Sequence, residues 1–384
     1  MAQQHTSPPP FVFGRIADGE HFVDREPERA RLAANFTALT NTVIVSPRRW
    51  GKSSLVQRVA EDLAATKSPV RVVQVDLFNT RTEADFYAHL AKAVLSATCS
   101  KWDEWIDAVQ RFMSHLRPRV SISPEPTAQI SLDLDWEDAE RDPDDVLDLA
   151  EHIAAARKRT LVVCIDEFQA IAGFEGAAAF QQKLRSHWQH HQHVCYCLYG
   201  SKRHMLLDLF SNPELPFYRF GDILALGKID NAVWGDFITA RFAATGKTIT
   251  PDVARTLAGL VDNHSYYVQQ LAQQAWFRTT TTCTPDIVDA ALADLTAQLS
   301  LLFTGLTASL TTRQLSFLRA VLDGQTALSA QATLKAYALG TSANVVRIKE
   351  ALVNREIIDV DDAGVHLLDP VFAHWLTTTY FACA

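Results

Sequence analysis

The sequence predicts an α/β chain: a doubly wound core on a parallel five-stranded sheet, then a helical lid subdomain and a C-terminal winged helix-turn-helix. Three observations carry that expectation. Five short runs rich in β-branched residues, 42–46, 70–78, 160–168, 194–199 and 222–226, alternate with longer stretches of helical spacing. Beyond Gly227 such runs give way to helical periodicity. From Thr311 onward, three helical segments are followed by two alternating ones.

The first four runs are almost continuously apolar. Strands covered by helices on both faces read this way, and intervening helices make the sheet parallel. Phe86, Leu90 and Val94 give residues 84–97 the spacing of a helix. Around 117–136 the rhythm changes: Val120 and Ile122, then Ile130, Leu132 and Leu134, alternate with polar residues about Pro124, Glu125 and Pro126. A β-hairpin inserted into the core is expected there, with the acidic stretch 136–145 as a solvated loop and helix start. Helical spacing returns at 233–242, 251–260, 266–277 and 285–302, with 279–282 read as a loop. The last unit reads as helices 313–322, 330–334 and 344–355 and strands 357–360 and 365–368, joined by Asp361, Asp362, Ala363 and Gly364. Three helices and a two-stranded wing spell a winged helix-turn-helix. The expected domains are therefore a core over 11–227, a helical lid over 228–304 and a winged helix over 305–384.

Composition narrows the function. Of the 384 residues, 48% are hydrophobic, enough for a sizeable core, and the net charge of −8 argues against a protein coated in DNA or anionic lipid. No apolar run approaches the roughly 20 residues of a membrane span. The polar, proline-rich residues 1–10 lack the pattern of a secretory leader. The expected location is cytoplasmic. The six cysteines form no C-x-x-C pair, and Cys164, Cys195 and Cys197 lie in strand runs, as buried thiols do in a reducing compartment.

The chemistry concentrates in two segments. Ser46, Pro47, Arg48, Arg49, Trp50, Gly51, Lys52, Ser53 and Ser54 follow the first strand and open a helix through Leu55 and Val59. Backbone N–H groups and the helix dipole make that position a phosphate cradle. Gly51 lets the backbone approach a phosphate, Lys52 reaches the β- and γ-phosphates, and the Ser53 hydroxyl suits Mg²⁺. Ser46 stands where the phosphate-loop pattern has its first glycine. The second segment is the strand from Leu161 to Ile165, ending in Asp166 and Glu167. At the carboxyl edge of a parallel sheet these acids face the ligand crevice: Asp166 toward Mg²⁺, Glu167 as general base for a water. Together the segments define a P-loop NTPase core. The adjacent glutamate marks the additional-strand branch of these enzymes, and no N/T-K-x-D guanine signature is present, so ATP is expected over GTP.

These residues resemble the archaeal-type ATPase family, a clade of the STAND group of P-loop NTPases, along nearly the whole chain. Phe11–Arg15 and Phe22–Glu26 are similar to the family's F-x-F-G-R and F-x-x-R-E entry segment, which implies Arg25 and Glu26 beside adenine. The run 46–55 is close to its P-R-R-x-G-K-[ST]-S-L loop, and 75–78 looks like its second strand. Tyr199, Gly200 and Ser201 resemble a sensor at the end of the fourth strand. The resemblance implies that the Ser201 hydroxyl reports the γ-phosphate; capping of the helix near Lys202 is the other reading. Residues 216–219 are similar to a P-L-Y-G-R segment without its glycine, which makes Arg219 the candidate arginine finger and Arg185 a lesser one. Residues 263–271 resemble a G-H-P-x-Y-x-Q-x-L lid opening, with Asn263 and Ser265 departing from it. His264 is there either a phosphate or adenine contact or a structural histidine. Asp369, Pro370, Phe372, Trp375 and Leu376 match the family's D-P-x-F-x-x-W-[LI] ending, read as packing of the winged unit.

Two further signals are weighed against blander readings. His187, His190, His191 and His193 crowd before the fourth strand, and a partly exposed helix end is preferred there over a metal site. Asn344, Arg347 and Lys349 fall on the recognition helix, but the acidic wing (Asp359, Asp361, Asp362) opposes phosphate, so a protein partner is at least as well supported as DNA. The expected function is an ATP- and Mg²⁺-dependent switch that hydrolyses ATP and passes its state to a partner through the winged helix. A DNA-binding regulator and a non-hydrolysing signalling scaffold are the rivals, and oligomeric state is open.

Overall fold

The computed structural model describes residues 9–66, 68–99, 118–121, 131–134, 144–361 and 364–382. They form two compact units, one running from Arg25 to Gly227, the other joining the residues up to Asp24 with those from Lys228 onward.

The first unit is built on β1 (Thr42–Val45), β2 (Val70–Asp76), β5 (Thr160–Asp166), β6 (Val194–Tyr199) and β7 (Asp222–Ala225). They form one sheet in the order β2-β5-β6-β1-β7, and every pairing is parallel. β1 and β6 are buried throughout, as their unbroken apolar sequence requires. β2 lies at an edge, and its Arg71, Gln74 and Asp76 are not buried. Four strands stop short of the expected ends, because the chain leaves the sheet at its carboxyl edge to form the site loops. The inserted hairpin is present as β3 (Pro118–Ser121) paired antiparallel with β4 (Ser131–Leu134). Ile122, Ile130 and most of the acidic stretch lie outside the described residues.

Helices cover the sheet. Glu83–Thr98 starts with a reciprocal capping box between Thr82 and Asp85 and buries Phe86, Leu90 and Val94. Around Phe168 the rings of Phe210, Phe217 and Trp188 pack at 5.3 to 6.2 Å, and Trp188 stacks on Tyr196 at 3.9 Å. This aromatic wedge holds the chain that follows β5 against the end of β6.

Three of the crowded histidines, His187, His191 and His193, pair with acids. His187 Nδ1 lies 2.9 Å from Asp148 and its Nε2 3.2 Å from Asp144; His191 Nε2 is 3.0 Å from the same Asp148 oxygen and its Nδ1 2.9 Å from the Tyr196 hydroxyl. Burial raises the Asp148 pKa, but hydrogen bonds from His191 and His187 outweigh it and leave it below the ordinary value. The His191 side chain is 3% exposed while His190 is exposed and His187 and His193 are half-buried, so the segment is a partly exposed helix end, as expected. Among the described residues no cluster of histidine, cysteine and acid fits a metal.

In the second unit, Phe11 and Val23 enter a core with Trp234, Ile238, Phe242, Val268 and Leu271. Residues 11–24, expected within the α/β core, therefore pack with the helical unit instead. Arg241 explains why: buried, it donates to the Pro10 carbonyl at 3.0 Å and pairs with Glu20 at 2.9 Å. Gln269 accepts from Val12 N and donates to the His21 carbonyl, both at 3.1 Å. Strands do not end at 227: β8 (Thr248–Ile249) pairs parallel with β9 (Thr282–Cys283). The boundary drawn at 304 falls inside the 24-residue helix Pro285–Ala308. By length and mean hydropathy that helix could cross a membrane, but Asp286, Asp289 and Asp294 interrupt any continuous apolar run, and Val288, Ala291, Leu295 and Phe303 face the core.

The winged part comprises helices Thr312–Leu322, Gln331–Ala336 and Ser342–Asn354 and strands β10 (Ile358–Asp361) and β11 (Gly364–Leu367), paired antiparallel. Asp362 and Ala363 lie outside the described residues. Asp369 caps the helix Pro370–Trp375 by accepting from Val371 and Phe372 N–H, and Phe303 packs on Phe372 and Trp375.

Gly221 leads into β7, and a Cβ there would meet the Asn41 carbonyl oxygen at 2.3 Å. Asn41 also accepts the Asp222 N–H and, through its side chain, the Tyr196 N–H. Gly221→Ala is expected to cost about 1–3 kcal/mol of core stability by overpacking. Denaturant unfolding checks it, and an unchanged midpoint contradicts it.

Candidate functional site

The chain leaves β1 at Val45 and makes a loop over 46–51 before the helix Lys52–Ala65. Two left-handed residues shape it, Arg49 at φ 64° and Gly51 at φ 91°. Space around a Gly51 Cβ is open, so glycine is demanded there by backbone conformation and not by crowding. Lys52 is buried, with Nζ 2.8 Å from the Pro47 carbonyl and 3.1 Å from that of Ser46. Its ammonium thus lies along the inner rim of the loop. Arg48 and Arg49 are exposed, Trp50 and Ser54 half-buried.

Arg25 closes the other side. It is buried at φ 71° and donates to the Trp50 carbonyl at 3.2 Å while pairing with Glu28 at 3.1 Å. Glu26 opens the helix Glu26–Thr37 and is exposed.

The acids approach from β5, two strands from β1. The Ser53 hydroxyl donates to Asp166 Oδ2 at 2.8 Å. Residues 113 positions apart are thereby joined at the carboxyl edge of the sheet. Asp166 Oδ1 accepts the Glu167 N–H at 2.8 Å. Burial pushes the Asp166 pKa above its ordinary value; these hydrogen bonds and Lys52 oppose that shift, and Glu167 adds to it. A desolvated carboxyl beside a hydroxyl is a donor set that suits a hard divalent cation.

Glu167 takes φ 54°, so its side chain turns toward the end of β6. Its Oε2 accepts from the Ser201 hydroxyl at 3.0 Å and from the Gln169 amide. Ser201 does not cap the next helix, whose N-cap is Lys202. Gln169 is 5% exposed and escaped the sequence reading. Its position two residues after the acid pair was visible, but the turn that brings its amide back to Glu167 was not.

Other expected residues lie elsewhere. Arg219 sits over the Tyr218 ring and Arg185 over that of Phe220, each at 5.1 Å. Neither touches the phosphate loop among the described residues. His264 belongs to the second unit, where it is buried at the N-cap of Ser265–Arg278 with its ring 5.1 Å from that of Tyr267. On the winged unit, the helix Ser342–Asn354 exposes Val346 beside Arg347, and β10 exposes Val360.

Comparison with known proteins agrees with this geometry. Residues 39–204 match the family described as "AAA domain", and residues 301–378 the one described as "Probable winged helix domain". The chain thus carries an AAA-type P-loop domain followed by a winged helix domain. No curated protein matches it. Among solved structures, it is similar to the Walker-type ATPase paby2304 of Pyrococcus abyssi at TM-score 0.67 and 16% identity, over 96% of this chain and 99% of that one. The Aeropyrum pernix ORC2 protein, in its ADPNP-ADP complexes, is similar at TM-score 0.58 and 14% identity, over 97% and 99%. At these identities the likeness is one of fold.

Asp166 also makes a pH prediction. A carboxyl with a raised folded pKa holds its proton more tightly folded than unfolded. Its contribution is complete below the unfolded value and is lost as pH climbs through the folded one. Without nucleotide, Asp166 should therefore subtract stability as pH rises out of the ordinary carboxylate range, against carboxyls such as Asp148 and Asp222 whose lowered pKa adds it, and Asp166→Asn should gain on the wild type toward the upper end of that range. Thermal midpoints of both proteins across that range decide it; parallel curves contradict it.

Proposed function

We propose that this chain binds ATP with Mg²⁺ at the carboxyl edge of its sheet and hydrolyses it as a molecular switch of the archaeal-type ATPase kind. The observation that carries the reading is the 2.8 Å contact between Ser53 and Asp166. It joins the two oxygen donors that a nucleotide-bound magnesium requires, at the foot of a loop of phosphate-cradling shape.

In this reading the loop 46–54 wraps the phosphates, and Lys52 exchanges the Ser46 and Pro47 carbonyls for β- and γ-phosphate oxygens. Mg²⁺, when bound between Ser53 and Asp166, supplies neutralisation of phosphate charge. Glu167 takes a proton from the attacking water, and Ser201 reads the γ-phosphate. Arg25 and Glu26 are assigned to the adenine side, and Arg219 and His264 keep the phosphate roles that the family resemblance implies. In this division of labour the unit Arg25–Gly227 carries the nucleotide chemistry, the helices from Lys228 onward serve as lid and the winged part meets the partner, in the cytoplasm. The exposed Val346 and Val360 favour a protein partner for the winged unit, since apolar surface on a recognition element is better covered by protein than by phosphate.

Lys52→Ala is expected to abolish ATP binding and turnover. Glu167→Gln should keep binding but lower phosphate release by roughly 10²–10⁴-fold, the usual share of a general base. Steady-state phosphate release and nucleotide binding test both. Equal release by wild type and Glu167→Gln would sink the hydrolase reading.

A further inference from the structure

We infer that Gln169 is a positioning residue for Glu167, and that Gly200 is glycine to make room for it. The inference rests on the hydrolase reading above and goes beyond it by naming what fixes the orientation of the base.

Gln169 follows Phe168, which the rings of Trp188, Phe210 and Phe217 hold in place. The backbone around it is set as well: the Glu167 carbonyl accepts from the Ala170 N–H at 2.9 Å, closing a tight turn directly after β5. The buried Gln169 side chain therefore has little freedom. Its Nε2 donates to Glu167 Oε2, the oxygen that also accepts from Ser201. An ionised carboxylate only accepts, so the opposite amide orientation would set oxygen against oxygen. That orientation has a cost: Gln169 Oε1 is buried with no hydrogen-bond partner among the described residues.

Gly200 supplies the space. A Cβ there would lie 1.8 Å from Gln169 Oε1 and 2.8 Å from its Cδ, with the Glu167 Cα at 3.2 Å behind. Gly200 has none of the left-handed backbone that demands glycine elsewhere, so its requirement is space, taken first by the Gln169 amide and then by the Glu167 backbone. Glu167 Oε2 thus accepts from the Gln169 amide and from Ser201, through its hydroxyl at 3.0 Å and its backbone N–H at 3.5 Å. The serine proton can serve either Glu167 or a γ-phosphate, but not both. When Ser201 turns to phosphate, Gln169 remains to keep the carboxylate aimed.

The test measures kcat and KM for wild type, Gln169→Met and Gly200→Ala, each also in a Glu167→Gln background, with thermal midpoints to confirm folding. Both substitutions are expected to lower kcat by about tenfold to a hundredfold, the scale of a misaimed catalytic group, with KM nearly unchanged. Neither should cost anything further once Glu167 is glutamine. Turnover that depends on Glu167 but not on Gln169 overturns this role and leaves the hydrolase reading standing. So does the same loss in both backgrounds, or a loss confined to KM. Equal phosphate release by wild type and Glu167→Gln removes both.

Discussion

Everything at the site depends on one hydrogen bond, from the Ser53 hydroxyl to Asp166. Ser53 stands in the first turn of the helix after β1, Asp166 at the end of β5, and β6 lies between those strands. For the two side chains to meet, the three strands must end at nearly the same height and the helix must begin at once. The parallel register provides the first condition: Ile44 sits opposite Tyr199, and Ile165 opposite Leu198. The left-handed Arg49 and Gly51 provide the second, by turning the chain back over the strand end within a few residues. Sheet order, loop conformation and buried acid are therefore one constraint seen at three scales.

The charge distribution follows from it. Asp166 is desolvated because the sheet edge, the phosphate loop and the chain after β5 close around it, and that burial raises its pKa. Lys52 lies against the loop carbonyls of Ser46 and Pro47, and its charge opposes the rise of the Asp166 pKa.

Much of this was legible in the chain. β1, β5 and β6 announce themselves as uninterrupted apolar runs because helices cover both their faces, and the phosphate loop is contiguous. What stayed hidden has a common cause: the partner lies far away in sequence. Arg71, Gln74 and Asp76 do not reveal whether β2 is central or at an edge. Nothing near Phe11 shows that its pocket is formed by Trp234 and Phe242, or that Arg241 and Gln269 hold its neighbours' backbone. Gln169 was unreadable for the opposite reason, since its role is set by a turn of a few residues whose geometry the ring cluster behind it imposes. β8 and β9, two residues each, are too short to leave a periodic signal.

The allegiance of the first residues bears on how the molecule is made. Phe11 and Val23 emerge from the ribosome early, yet the helices that bury them lie beyond Lys228. Domains fold as units while synthesis proceeds. The nucleotide core, continuous from Arg25 to Gly227, has all its strands before those helices exist. The leading segment must then wait, apolar side chains unsheltered, until the later half arrives to claim it. A nascent chain stalled near residue 230 would carry a complete parallel sheet while Phe11 and Val23 still lacked the helices that bury them.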